Sequence, residues 1–416
     1  MREIDSLIIG AGISGLTYAG HCKNEYLIVE KDKSPGGMCR TFYQDGYVWD
    51  YAGHFFHFKT DEIRRYFESR IPKNQIVSCK KNTKIFYKGE YIDYPFQMNI
   101  HQLPKDEFIE CLYDLHFRNK QDKYDSFEKM LYVKFGKGIT EKFLKPYNEK
   151  LYACDLDMLD VDAMGRFFPY ASEAEIIRNM KENNQCSYND FFEYPKSGAQ
   201  QFVDILLADI EKKRLLLGVA VKSIDLMTHT AYLSNGETVL YKKLINTIPL
   251  NEFIKIASLE KKIGCKLSSN KVIVFNLGFD RKSLNNDIHW IYYPEKKYCF
   301  YRVGFYNNIL KTDRMSLYVE IGCESLNSVD KTVALNNVLS DLKKCGIITE
   351  HKLCAWNYIE MNPAYVHVTK ESNEYLSNLF NELNSIDVYS IGRYGGWKYC
   401  SIEDCMLEAI ETANKV

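Results

Sequence analysis

Gly10-Ala11-Gly12-Ile13-Ser14-Gly15 follows directly on the apolar run Leu7-Ile8-Ile9, and Glu30 closes the next apolar run, Tyr26-Leu27-Ile28-Val29. A strand that runs into Gly-x-Gly-x-x-Gly and on into a helix can cradle a pyrophosphate. Gly10 permits the tight turn, Gly12 lets the backbone approach the phosphates, and Gly15 lets the helix pack closely on the strand. The free N–H groups at the helix start, around Ile13 and Ser14, act with the helix dipole to favour negative charge. Glu30 stands 20 residues after Gly10 and just before Lys31, where a carboxylate accepts hydrogen bonds from ribose hydroxyls. The chemistry predicted is dinucleotide binding. A glycine-rich surface turn would leave Glu30 unexplained.

A second group lies in Tyr51-Ala52-Gly53-His54-Phe55-Phe56-His57. Two histidines three apart invite a metal reading. On a strand, however, such residues face opposite sides, and no acidic or thiol partner lies nearby, so no metal is expected. Two readings stay open from the residues themselves. The imidazoles are either satisfied inside a core or laid against a bound ring.

Further features select among dinucleotides. Lys33-Ser34-Pro35-Gly36-Gly37-Met38-Cys39-Arg40-Thr41 makes a Pro-Gly-Gly turn where a nicotinamide dehydrogenase would start a crossover helix, and a polar hairpin follows around Asp45-Gly46. At the far end, Asp387-Val388-Tyr389-Ser390-Ile391-Gly392-Arg393 reads as a strand ending in Gly-Arg, and Ser401 to Asn414 reads as a helix. Together these resemble the flavoprotein superfamily of amine oxidases, protoporphyrinogen oxidases and UDP-galactopyranose mutases. The resemblance implies FAD, with Gly37, Met38, Gly392, Arg393, Ser401 and Ile402 around it. It also implies adenine contact by the backbone near Val221.

Within that superfamily, Tyr51 to His57 is similar to the aromatic-Gly-x-His-x-Phe-His segment of the mutases. The similarity implies His54 and Phe55 against the flavin and His57 near N5. Tyr91-Ile92-Asp93-Tyr94-Pro95-Phe96-Gln97-Met98-Asn99 resembles a hydrophobic-Pro-Phe-x-Met-Asn stretch. Tyr147-Asn148-Glu149-Lys150-Leu151-Tyr152 resembles Tyr-Thr-Glu-Lys-Gln-Trp, which implies that Tyr152 stacks on the base of a nucleotide. Phe300-Tyr301-Arg302, Asn362-Pro363-Ala364-Tyr365 and the position of Tyr399 resemble diphosphate-binding segments, which makes Arg302, Tyr365 and Tyr399 candidates for phosphate contact and catalysis. Two mutase arginines have no clear counterpart; Arg166 and Lys266 are substitutes nearby. Loss of bidentate clamps argues for a divergent substrate within the nucleotide sugars.

The resemblance therefore implies interconversion of pyranose and furanose forms of a nucleoside-diphosphate sugar. N5 of reduced FAD attacks the anomeric carbon, and an external reductant such as NAD(P)H supplies the reduced flavin. The alternative is an FAD-dependent oxidase or dehydrogenase of the amine oxidase or protoporphyrinogen oxidase type, with an apolar tunnel in place of a phosphate groove.

The elements that must position these residues follow from periodicity. Glu107, Phe108, Cys111, Leu112 and Leu115 recur with helical spacing after Pro104, and helices are expected over 125–135, 139–152 (kinked near Pro146) and 172–183. An amphipathic helix is expected over 198–213. Strands are expected at Leu215–Val221, Thr230–Ser234 and Thr238–Ile245, with Asn235-Gly236 as a hairpin turn. Val272–Phe275, Cys299–Arg302 and Ser316–Ile321 alternate as strands of a separate antiparallel sheet. Helix 329–345 should lie beside it, with 352–361 as an edge strand. The expected class is α/β: a Rossmann-like FAD-binding domain (1–75, 196–255, 384–416), a mainly helical insertion (76–195) and an antiparallel-sheet substrate domain (256–383).

A chain of 416 residues suits two or three domains. Its 54 Lys and Arg nearly balance 55 Asp and Glu, so no global field draws it to nucleic acid or a membrane surface. No apolar run is long enough for a membrane span. Thirteen scattered cysteines without a Cys-x-x-Cys pair fit a reducing compartment. Met1 leaves no room for a leader before the first strand, so a cytoplasmic location is expected. The oligomeric state stays open, with a homodimer as one option.

Overall fold

Leu7 and Ile8 point to opposite faces of one strand, and both are fully buried, as a central parallel strand requires. That strand, Arg2–Ile9, sits between Tyr26–Glu30 and Thr238–Asn246, parallel to both. In the computed structural model, which describes residues 2–120, 122–182, 190–260, 267–326 and 330–416, it belongs to a seven-stranded sheet. Leu215–Leu217 extends one edge, and the antiparallel pair Val221–Asp225 and Thr230–Leu233 extends the other. Val388–Ser390 returns from the far end of the chain to pair with Thr238–Asn246. Helix Ile13–His21 packs against the closing helix, Ile402–Lys415, and against Gln200–Ala208.

A second seven-stranded sheet holds, in order, Leu353–Met361, Lys271–Phe279, Ser316–Cys323, Arg302–Phe305, Trp290–Tyr292, Thr83–Tyr87 and Glu90–Asp93. Leu353–Met361 takes the expected edge. Every pairing is antiparallel except Trp290–Tyr292 with Thr83–Tyr87. Residues 76–195, expected as mainly helical, thus give two strands to this sheet and two more, Ile76–Lys80 and Phe191–Pro195, to a small pair. Lys331–Lys344 is the expected flanking helix, started by Asp330 accepting from the N–H groups of Thr332 and Val333. Helix Lys370–Asn384 was not expected.

The helical part contains Lys105–Phe117, Phe127–Ile139, Lys145–Tyr152 and Glu173–Glu182. Gly136, at φ +74°, breaks the second of these, and a Cβ there would strike the backbone of Asp114. The kink expected near Pro146 takes the form of a wide turn at Thr140–Leu144. That turn precedes Lys145–Tyr152 and leaves Pro146 in its first turn, where no N–H is needed.

Three expected elements come out differently. Leu215–Val221 is two strands, because Gly218 turns the chain at φ +71° and its N–H donates to the Asp32 carbonyl. Helix 198–213 is shortened to Gln200–Ala208, since Ile210 leaves it to bury its side chain. Cys299–Arg302 is not a strand; the ladder starts at Arg302. The Lys150 ammonium draws in the carbonyls of Tyr293, Glu295, Tyr298 and Phe300 at 2.5–3.1 Å, curling that stretch out of the sheet.

Candidate active site

Gly12 caps helix Ile13–His21 with backbone alone, and the first turn holds no acidic residue. Its N–H groups therefore stay open to an anion. Gly10 adopts φ +101°, and a Cβ on Gly15 would strike the Gly10 carbonyl oxygen. Gly37 faces Gly12 so closely that a Cβ on Gly37 would stand 3.4 Å from the Gly12 Cα. The Gly36 N–H donates to the Ala11 carbonyl at 2.8 Å, binding the Pro-Gly-Gly turn to the glycine loop; Met38 follows, half-buried. Buried Glu30 accepts from the N–H groups of Ala11 and Asp32 at 2.8 and 2.9 Å. It shapes the loop and keeps lone pairs for a ribose hydroxyl. Lys31 is exposed beside it. The Val219 N–H donates to the Glu30 carbonyl at 3.0 Å, which brings the strand starting at Val221 alongside.

The histidine segment is irregular, not a strand; its one ladder contact is a bridge from Phe56 to Glu193. The Phe56 ring is wedged among Phe58, Phe67 and Phe202. Phe55 stacks on Trp290 of the second sheet at 5.4 Å. His54 Nδ1 lies 3.1 Å from the Ala52 carbonyl, and His57 Nδ1 lies 3.0 Å from that of Phe191. A carbonyl only accepts, so each Nδ1 carries the hydrogen. Burial holds both rings at about 4, well below the usual histidine value. At neutral pH each Nε2 is therefore a bare acceptor. After burial, His54 feels the positive charge of Arg393 and Arg302, and His57 that of Lys81.

Phe55, Phe56, His57 and Lys59 line one cavity with Arg166, Phe167, Ser401, Ile402 and Glu403. Three stretches remote in sequence thus meet there. Ser401 caps the closing helix in a reciprocal box with Asp404. Buried Glu403 accepts from the backbone N–H groups of Lys59 and Thr60 and from the Thr60 hydroxyl at 2.6–2.8 Å, tying the histidine segment to that helix. Arg166 donates to both carboxylate oxygens of Asp404 at 2.6–2.7 Å. Burial raises the Asp404 carboxyl, but hydrogen bonds from Ser401, Arg166 and Lys59 outweigh it and leave it at about 2.

Beside the cavity stands a wall of phenols and guanidinium groups. Tyr365 and Tyr399 stack at 5.7 Å, and Tyr152 meets Tyr365 edge-on at 5.8 Å. The Arg393 guanidinium lies 4.5 Å from the Tyr399 ring and 5.2 Å from that of Tyr365. Burial, followed by the neighbouring Tyr399, pushes the Tyr365 phenol up, so it stays protonated and able to donate. Arg302 also lies in the electrostatic reach of Tyr365, but it is engaged: Nε and Nη2 donate to Glu320 at 2.5 and 2.8 Å. Arg393 instead donates to the carbonyls of Cys400 and Ala364 at 3.4 and 3.3 Å. Gly392, which starts the Gly-Arg pair, gives its N–H to Glu408 at 2.8 Å.

The sequence did not single out the residues that hold this wall together. Asn270 donates Nδ2 to the Leu151 carbonyl and accepts the Tyr365 N–H at 2.7 Å, while His367 Nε2 donates to the Tyr152 carbonyl at 3.0 Å. Asn270 and Glu320 are polar residues set against apolar strand runs, and that was the available signal. Tyr152 is almost fully buried, with no hydrogen-bond partner for its hydroxyl. Lys266 lies outside the described residues. Among the described residues, no group of three His, Cys, Asp or Glu could hold a metal ion, and no helix is long and apolar enough to cross a membrane.

A family model for flavin containing amine oxidoreductases matches residues 13–416. The chain belongs to that family. Its cofactor is FAD, and the site fits one: an uncapped helix start faces a second glycine turn, with a buried carboxylate alongside. The fold is similar to that of a reduced UDP-galactopyranose mutase, with a TM-score of 0.91 at 23% identity over 100% of this chain and 94% of that one. It is similar also to cyclohexylamine oxidase from Brevibacterium oxydans (TM-score 0.69, 12% identity, 99% and 98% covered). A fatty acid isomerase from P. acnes follows at 0.66 (13% identity, 99% and 98% covered). In sequence, 51 residues are 40% identical to the inactive all-trans-retinol 13,14-reductase of Danio rerio, 12% of this chain and 8% of that relative. The family thus fixes the cofactor, and the structural likenesses fix the fold.

Proposed function

We propose that this flavoprotein is a mutase that interconverts ring forms of a nucleoside-diphosphate sugar, using FAD in its reduced state. The observation that carries the reading is the Tyr365–Tyr399 stack with Arg393 against both rings and Arg302 in electrostatic reach of Tyr365, a polar wall where an oxidase of apolar amines would present an apolar tunnel. Bound in its reduced form, FAD would supply the nucleophile for the anomeric carbon. The residues of the chain keep the displaced diphosphate in place. The Tyr365 and Tyr399 hydroxyls each donate one hydrogen bond, and the two guanidinium groups offset its charge. Arg166, which donates to Asp404 on the cavity wall, would join them when substrate arrives. Tyr152, expected to stack on the base, meets Tyr365 edge-on beside this wall. His57 offers a neutral Nε2 to a donor at the ring edge and needs no proton of its own. Orientation of the sugar supplies much of the rate.

The test is anaerobic incubation of the FAD-loaded protein with a panel of nucleotide sugars, with and without dithionite, read by chromatography. Isomerised sugar nucleotide should form only with reductant, and reductant should not be consumed in proportion to product. One NAD(P)H consumed or one hydrogen peroxide released per turnover would make the protein an oxidoreductase instead.

A further inference from the structure

Cys400 and Cys405 flank the first turn of the closing helix, one just before the Ser401 cap and the other four residues into the helix. Those positions commonly hold two apolar side chains that staple the helix entry. Here the staple is a pair of free thiols, both buried, with sulfur atoms 3.5 Å apart. Neither thiol has a part in the chemistry above. We propose that Cys400 and Cys405 form a redox-modification site, a dithiol that peroxide closes into a disulfide across the helix entry, fixing the end of the cavity lined by Ser401 and Ile402. The inference rests on FAD binding and is independent of the mutase reading.

The sulfurs need approach only by about 1.5 Å to reach bonding distance. Both belong to one short stretch of chain, so no distant segment has to move. Cys405 is the first to react. A hydrogen bond from Cys400, with others from the Arg393 N–H and the Ser14 hydroxyl, holds its thiol below the usual value, while donating to Cys405 raises Cys400. The helix N-terminus favours a thiolate as well. The Cys405 sulfur attacks hydrogen peroxide. An S–O bond forms, the O–O bond breaks, and the departing hydroxide leaves as water with the thiol proton. The Cys400 sulfur then attacks the Cys405 sulfur. The S–S bond forms, the S–O bond breaks, and a second water leaves with the Cys400 proton. Two thiols and one peroxide give one disulfide and two waters.

The closed form has a mechanical consequence. The Cys400 carbonyl accepts from Arg393 Nη1 at 3.4 Å, and the next residue is the helix cap. Linking Cys400 to the helix body stops that entry from fraying, so flavin should leave more slowly.

The test uses the FAD-loaded protein. After peroxide, free thiols are alkylated and trypsin peptides weighed; both cysteines lie between Lys398 and Lys415, so the link appears in one peptide as a loss of two hydrogens. That peptide should alkylate only after dithiothreitol. FAD release, followed by recovery of flavin fluorescence on dilution, should slow by about two- to fivefold in the oxidised protein, as expected when a local opening is suppressed. Dithiothreitol should restore the rate. Cys400→Ser and Cys405→Ser should lose both effects; Cys405→Val keeps an apolar staple if the serine variants fail to fold. Absence of the link while exposed Cys354 oxidises, or a link that leaves FAD release unchanged, would overturn the proposal.

Discussion

Arg302 donates twice to Glu320 and is proposed to face a phosphate, so its removal should act on two quantities at once. Arg302→Ala is expected to cost about 2–4 kcal/mol of nucleoside diphosphate binding, as for a lost charge-assisted contact. It should also cost about 3–5 kcal/mol of stability, because Glu320 stays buried without its partner. Adding Glu320→Gln should return most of the stability and none of the affinity. Tyr399→Phe removes one neutral hydrogen bond, worth about 0.5–1.5 kcal/mol. Titration of free nucleoside diphosphate against flavin fluorescence, beside urea unfolding, separates these effects; equal affinities in all variants would put the phosphate site elsewhere. Arg302 is legible in sequence through the aromatic pair before it. Glu320 is not, because only sheet register sets it opposite Arg302. Arg393, expected from sequence as a flavin ligand, stands against the Tyr365 and Tyr399 rings.

At the scale of elements, the glycine loop and the closing helix complete one cradle from opposite ends of the chain. Gly12→Val would drive a side chain toward Gly37 and into the phosphate path, so the purified variant should lose its yellow colour and retain no FAD. Reconstitution with excess FAD, followed by absorbance, is the check; a variant that stays yellow would move the pyrophosphate away from this loop. Ser401→Ala should cost about 1 kcal/mol of stability through loss of the cap, read as a lower Tm. Elements with strong local signals are plain in the sequence, among them the glycine turn and the Asn235-Gly236 hairpin. Those set by tertiary demand are not. The stretch 299–301 has strand-like residues, yet Lys150, far off in sequence, takes the carbonyls of Tyr298 and Phe300. No local pattern announces that competition.

For the molecule as a whole, opposed buried titrations shape stability between pH 4 and 6.5. Burial holds His54, His57 and His289 at about 4. On acidification the unfolded chain binds protons that the folded rings refuse, so their contribution is lost as pH falls through that window. Asp50 works the other way. Fully buried, it is raised from 3.8 to about 6 by that burial, although Thr41, Tyr194 and the Ala199 N–H donate to it. The folded state holds this proton where the unfolded state releases it, so Asp50 gains stability as pH falls from about 6 to 4. Asp50→Asn removes that compensation. Between pH 7 and pH 4, wild type should gain about 2–3 kcal/mol relative to the variant. Urea unfolding across that range tests this, and parallel curves would refute it. The fold class is legible because both termini carry flavoprotein signatures. Tyr152, Tyr365 and Tyr399 are legible one by one through the resemblance, but their packing into one wall is not, since Asn270 and His367, which join the Tyr152 and Tyr365 segments, carry no local signal of that contact.

The return of Val388–Ser390 to the first sheet, with the closing helix on Ile13–His21, also dictates a timetable. During synthesis the glycine loop leaves the ribosome long before the Ser401 turn. Domains generally fold as units while they emerge. Here the unit that grips the cofactor cannot be finished until almost everything between has been made. A nascent chain therefore carries a half-built nucleotide lobe with Leu16 and its neighbours uncovered until Met406 and Ala409 have emerged. Cells short of flavin should accumulate this protein as aggregate or proteolytic fragments, even though most of its chain was complete long before.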